Sequence, residues 1–163
     1  MIRSRIWQPK TNVTSQTIYK DHYYLSNLIE KKWLHKLIGT WGNTKYIFKY
    51  TINLNTNIKI FNDEYKDIGK ININFLGTEA KIFIDNEVYY WKAKNMIQKK
   101  WQIRSTKEDK ILNEKGQFYS NDLPKGHRGI LNLSGHAIQH FNNYYLLSAS
   151  SFVLTSLLFF YFV

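Results

Sequence analysis

The sequence predicts a mainly β fold: an antiparallel barrel or strongly curved sheet around a hydrophobic C-terminal helix. Three observations predict it. From Lys45 onward, β-branched and aromatic residues alternate with polar ones in short runs at roughly eight-to-twelve-residue spacing. Asn, Asp and Gly separate the runs, as turns require. The chain from Gly129 to Val163 holds no Asp, Glu, Lys or Arg, and its last stretch, Tyr144 to Val163, is apolar on every side. A helix that is apolar all round is buried in protein or in lipid. A small β domain with a C-terminal transmembrane helix is therefore the alternative, because twenty helical residues span about 30 Å, the thickness of a bilayer's hydrocarbon core.

Residues 1–43 read as a basic N-terminal arm with a possible helix. Met1 to Lys20 carries Arg3, Arg5 and Lys10 and no acid. A solvated arm is the plainer reading, and a mitochondrial transit peptide the lesser one. With no apolar h-region, no secretory signal is expected. Asp21 as N-cap and Gly39 as C′ bracket a candidate helix, Asp21 to Ile38. At Lys45 the period changes to two. Tyr46 to Ile52, Ile58 with Ile60, and Ile71 with Ile73 and Phe75 follow as strands, the last three on the core face. Ile82 to Ile84 and Val88 to Trp91 form a hairpin about Asp85-Asn86. Trp101 and Ile103 alternate with Gln102 and Arg104. Ile111-Leu112 and Phe118-Tyr119 flank a turn. Lys125 to Gly129 marks the exit. Ile130, Leu133, Ala137, Ile138 and Phe141 recur at helical spacing, so 129–141 is a helix or, as the rival reading, an edge strand. Residues 44–163 then form one β domain that includes a hydrophobic helix over 144–163.

That final helix is expected inside the barrel of its own chain. Ser148, Ser151 and Thr155 share one face, and small residues let a backbone approach closely. Its five hydroxyls can bond back to helix carbonyls. For a tail anchor speak Tyr144, Tyr145 and Tyr161, which resemble an interfacial aromatic belt, and the Lys and Arg residues, all of which precede the segment.

Ile58-Lys59-Ile60-Phe61-Asn62-Asp63-Glu64, followed by Ile68-Gly69-Lys70-Ile71, resembles the cadence of tubby-like barrels, which include LURP-one-related proteins and phospholipid scramblases. Lys81 to Ile84 with Val88 to Lys92 is similar to their next hairpin, and Phe152 to Phe160 to the hydrophobic helix that threads such barrels. The likeness covers roughly Lys45 to Val163. It implies a barrel around a helix and a role at membranes. Small bacterial relatives carry a leucine-serine-glycine step similar to Leu133-Ser134-Gly135. In that alignment Gly129 to Phe141 is the threaded helix and Tyr144 onward an added membrane tail. Asn132 and His136 would then lie in a core, which argues against it. The phosphoinositide-binding residues of tubby proteins have no matched positions here, and no scramblase-type calcium loop is present.

The net charge of +11 points to anionic partners, and the absence of cysteine excludes disulfide and thiol chemistry. The run Lys92 to Arg104 is the candidate surface: Lys92, Lys94, Lys99, Lys100, Trp101 and Arg104, mixed with Met96 and Ile97. Near an anionic membrane each cation contributes about 1 kcal/mol. Phosphates of nucleic acid would suit the same cations, but no nucleic-acid motif accompanies them. His136 and His140 stand at i and i+4, a spacing zinc uses. The metalloprotease pattern needs Glu after the first His, and Ala137 is there, so hydrogen-bonded or exposed histidines are expected and no metal. Asp63, Glu64 and Asp67 fall at a turn, where little burial shifts a pKa. The expectation is a non-enzymatic module without cofactor that associates with anionic lipid or a membrane surface. It would be cytoplasmic, and membrane-associated or anchored by its C-terminal segment. A tail-anchored accessory subunit of a membrane complex is the alternative.

Overall fold

The computed structural model describes residues 13–20, 23–31, 34–51, 56–95, 100–107, 110–120, 123–124 and 126–143, with side chains from Leu28 onward. Ten strands follow in chain order: β1 (Val13–Lys20), β2 (Tyr23–Lys31), β3 (Lys36–Trp41), β4 (Thr44–Thr51), β5 (Thr56–Asn62), β6 (Asp67–Ile73), β7 (Glu79–Ile84), β8 (Glu87–Asn95), β9 (Lys100–Ser105) and β10 (Leu112–Asn113). They form one antiparallel meander in which neighbours in sequence are neighbours in the sheet. A helix, α1 (residues 127–143), follows them.

The alternation of isoleucines sets the inner face. Ile58, Ile71, Ile82 and Tyr89 stand opposite one another across β5 to β8, and Thr56, Ile73, Ala80, Trp91 and Ile103 form the next inward row. All are buried. Each such Ile contributes roughly 1.5–3 kcal/mol of transfer free energy. Asparagines knit the turns. Asn74 Oδ1 accepts the Thr78 and Glu79 amides, Asn62 Oδ1 accepts the Lys66 amide, and Asn113 Oδ1 accepts those of Lys115 and Gln117. These are Asx-type bonds, for which an amide side chain is suited.

The sheet bends around α1. Every residue of α1 from Gly129 to Gln139 is buried. Its contacts come from opposite parts of the meander: Gly129 meets Trp41 of β3, Gly135 meets Trp101 of β9, and Leu133 meets Gly39 of β3. Phe141 packs edge-on against Tyr50 of β4, at 4.8 Å between centroids. The glycines set the approach. A Cβ on Gly39 would lie 2.9 Å from Leu133 Cδ1, and one on Gly135 2.3 Å from Trp101 Cη2. Neither distance admits a carbon atom. Among the described residues β1 and β10 do not pair, so the sheet is an open, curved one and not a closed barrel.

Several expectations are corrected. Asp21 to Ile38 does not form a helix: β2 and β3 occupy it and join the sheet, whose strands thus begin within the stretch read as an arm. Leu28 and Glu30 point inward with Leu37, and Glu30 is buried because Tyr50 donates to its Oε1 at 2.9 Å. An inward carboxylate broke the strand pattern. Phe75 is not on the core face with Ile71 and Ile73. It sits in the turn after β6 and is 62% exposed. The interior place expected for 144–163 is taken by α1, with Asn132 and His136 in the core. Residues 144–163 lie outside the described residues, among which no helix is long and apolar enough to cross a membrane.

Candidate functional site

Strand register assembles a feature that no local stretch of sequence contains. Lys31 of β2 stands opposite Lys36 of β3, which stands opposite Lys49 of β4, then Lys59 of β5 and Lys70 of β6. Five lysines thus form one row on the outer face. At about 4.8 Å between strands the row spans roughly 19 Å. Like charges directly opposite are destabilising, and among the described residues none of the five makes an ion pair. Aromatic rings hold two of them: Lys49 Nζ lies 4.9 Å from the Phe61 centroid and 5.5 Å from that of Tyr65, and Lys70 Nζ 4.9 Å from that of Phe83. These cation–π contacts fix the ammonium groups without neutralising them.

Two residues along the strands lies a second outer row, Asn57, Asn72, Lys81, Tyr90 and Arg104. A groove of about 440 Å³ runs over it. Arg104 caps the Tyr90 ring at 5.7 Å. Beside it Lys92 pairs with Glu79 at 3.0 Å, both side chains more than half exposed, so this bridge adds little stability.

The residues singled out in the sequence distribute differently. Lys92, Lys94, Lys100 and Arg104 lie on the hairpin strands β8 and β9, and all four are exposed. Lys99 and Met96 fall outside the described residues. Trp101 is no surface anchor: it is 1% exposed, 6.2 Å from Trp91 and 5.3 Å from His136 between ring centroids. Its alternation with Gln102 already placed it on the face of Ile103. His136 is buried against this indole, and burial pushes its pKa down to about 4. His140, one turn on, faces Glu30, its Nε2 3.1 Å from Oε2. Among the described residues no group of three or more His, Asp or Glu is placed to hold a metal.

A second His–carboxylate contact marks the start of α1. His127 Nε2 lies 3.0 Å from Asp85 Oδ2, and its Nδ1 2.8 Å from the Tyr89 hydroxyl. With Nε2 donating to Asp85, Nδ1 accepts from Tyr89. The order carboxylate–histidine–hydroxyl resembles a nucleophile relay, but its chemistry is opposite. Burial, with Glu87 and Asp85 nearby, pushes the Tyr89 phenol up to about 12. A nucleophile needs a lowered pKa or an accessible oxygen, and Tyr89 is 2% exposed. The arrangement clasps the helix start to the β7–β8 turn. At the other end Asn142 Nδ2 donates to the Gly77 carbonyl at 2.6 Å.

No protein-family model, curated protein or solved structure matches this chain.

Proposed function

We propose that this protein is a non-enzymatic module that associates with the anionic phospholipid surface of a membrane through the outer face of its sheet. The row Lys31, Lys36, Lys49, Lys59 and Lys70 carries the reading. A fold gains nothing from aligning five unneutralised cations, whereas an anionic surface supplies the missing counter-charge. The row of Lys81 and Arg104, and Lys94 and Lys100 beyond it, extend the same field. The tubby-like resemblance, with its membrane association, supports the same partner. Co-sedimentation with phosphatidylcholine vesicles, with and without phosphatidylserine, tests it. Binding should require the anionic lipid, weaken as salt rises, and fall when Lys49, Lys59 and Lys70 become Gln. Binding indifferent to lipid charge would sink the proposal.

The uncharged stretch 144–163 favours a second reading, a tail-anchored accessory subunit of a membrane complex. Retention in the membrane after carbonate extraction would favour it over peripheral docking.

A further inference from the structure

The two ends of the curved sheet differ in chemistry. At the end where α1 finishes, the described turns carry Leu34, Phe75 and Leu76, which are 39%, 62% and 63% exposed. Leu34 precedes β3, and Phe75 and Leu76 form the tip between β6 and β7. This tip is held out rigidly: Gly77 N donates to the Asn74 carbonyl, Asn74 Oδ1 accepts two amides from the far side, and Asn142 of α1 bonds the Gly77 carbonyl. Around it stand cations. Lys31 and Lys36 flank the β2–β3 connection, and Lys92, Lys94 and Lys100 lie toward the β8–β9 connection. The acids of this end are Glu30, which is buried, and Glu79, which is paired with Lys92. The opposite end carries Asp63 and Glu64 in the β5–β6 turn, Asp67 beside them, and Asp85 and Glu87 about the β7–β8 turn, interspersed with Lys66, Lys107 and Lys110; its exposed rings, Tyr65 and Tyr119, are phenols that lie against Lys49 and Lys110.

Exposed aromatic and aliphatic side chains on a rigid turn, with lysines on other strands of the same end, match the layering of an anionic bilayer surface. The cations sit at headgroup depth while the apolar tip enters the acyl boundary. The chain leaves α1 at this same end, and its next twenty residues, Tyr144 to Val163, hold no charge. We infer that the protein docks end-on, with the Phe75-Leu76 tip inserted into an anionic bilayer and the mixed-charge end of the β5–β6 and β7–β8 turns turned away. This inference rests on the membrane reading above and alters its geometry: the sheet meets the headgroups at the end where Lys31 and Lys36 stand, with the Phe75-Leu76 tip as insertion point, and not flat along the whole lysine row.

The chain has no cysteine, so a single introduced one can be labelled cleanly. Full-length Leu76→Cys and Asn86→Cys proteins, each carrying an environment-sensitive fluorophore, are mixed with phosphatidylserine-containing vesicles. The probe at 76 should brighten and shift to the blue, while the probe at 86 stays as in buffer. Phe75→Ser with Leu76→Ser should bind the vesicles several-fold more weakly with unchanged thermal unfolding, because both side chains are exposed. If the proteins sediment with vesicles while the probe at 76 is silent, or that at 86 responds instead, the orientation is wrong and the membrane reading survives. If the unmodified protein does not sediment with anionic vesicles, both fall.

Discussion

Replacing Gly135 with alanine should reverse the sign that helix propensity gives. In an exposed helix interior, Gly→Ala stabilises by about 1 kcal/mol. Here the new Cβ would lie 2.3 Å from Trp101 Cη2, 2.7 Å from Cζ3 and 2.9 Å from Cζ2. Carbon atoms in contact stay about 3.5–4.0 Å apart, so the indole must retreat by more than about 1 Å. It is boxed in: Trp91 lies 6.2 Å away and His136 5.3 Å between centroids, and the ring is 1% exposed. Overpacking of this kind costs about 1–3 kcal/mol. Set against the propensity gain, Gly135→Ala should leave the protein up to about 2 kcal/mol less stable. Urea unfolding measures this as a lowered midpoint at unchanged slope. The three clashing atoms belong to the six-membered ring that phenylalanine places elsewhere. In a Trp101→Phe background the penalty should therefore vanish, giving a coupling energy of about 1 kcal/mol or more. A Gly135→Ala protein about 1 kcal/mol more stable than the original, the full propensity gain, would refute the seating of α1 on Trp101.

Other outcomes follow from the same contacts. His136 titrates at about 4 in the folded chain against an ordinary 6.5. Its folded pKa is depressed, so its contribution is complete above pH 6.5 and is lost progressively down to pH 4, by roughly 3 kcal/mol. His136→Gln should flatten that part of the pH–stability curve, and an unchanged slope would contradict it. Asn132 is 0% exposed and neither its Oδ1 nor its Nδ2 has a hydrogen-bond partner among the described residues. Asn132→Leu should therefore hold or raise stability, by up to about 3 kcal/mol, and a lowered melting temperature would show an unrecognised bond. Tyr89→Phe strips His127 Nδ1 of its 2.8 Å partner and should cost about 1–3 kcal/mol by urea unfolding. A neutral result would mean the clasp is idle. Neutralising Lys94, Lys99, Lys100 and Arg104 together should weaken binding to anionic vesicles and flatten its salt dependence. Unchanged sedimentation of the quadruple variant would show those four to be solvated surface only.

Where apolar and polar residues alternate cleanly, the strands were legible. Ile58 with Ile60, Ile71 with Ile73 and Ile82 with Ile84 lie inward as their period of two requires. The reading failed where tertiary partners pay for a polar residue inside. Glu30 is inward because Tyr50 and His140 face it across the interior, and neither is near it in sequence. The same cause hid the axial place of α1, although helical spacing had marked 129–141 as a helix. Apolarity pointed to 144–163, while α1 buries Asn132, Ser134, His136, Gln139 and Asn142. The lysine row was invisible for a different reason. Its members are scattered from residue 31 to 70, and only the pairing of five strands aligns them. Each does fall on the outward parity of its strand, which is the one trace the sequence carries.

The order of elements along the chain bears on how the molecule is made. All ten strands among the described residues precede α1. During synthesis the inward isoleucines of β5, β6 and β7 are therefore complete long before the helix that covers them has left the ribosome. The meander closes each of its own pairings locally, so strands form early, yet their apolar face stays open until residue 143 is added. A nascent chain in that interval is a curved sheet with an uncovered interior, the kind of intermediate that self-associates or engages chaperones. Premature termination anywhere before α1 should thus yield insoluble material, however many strands have been completed.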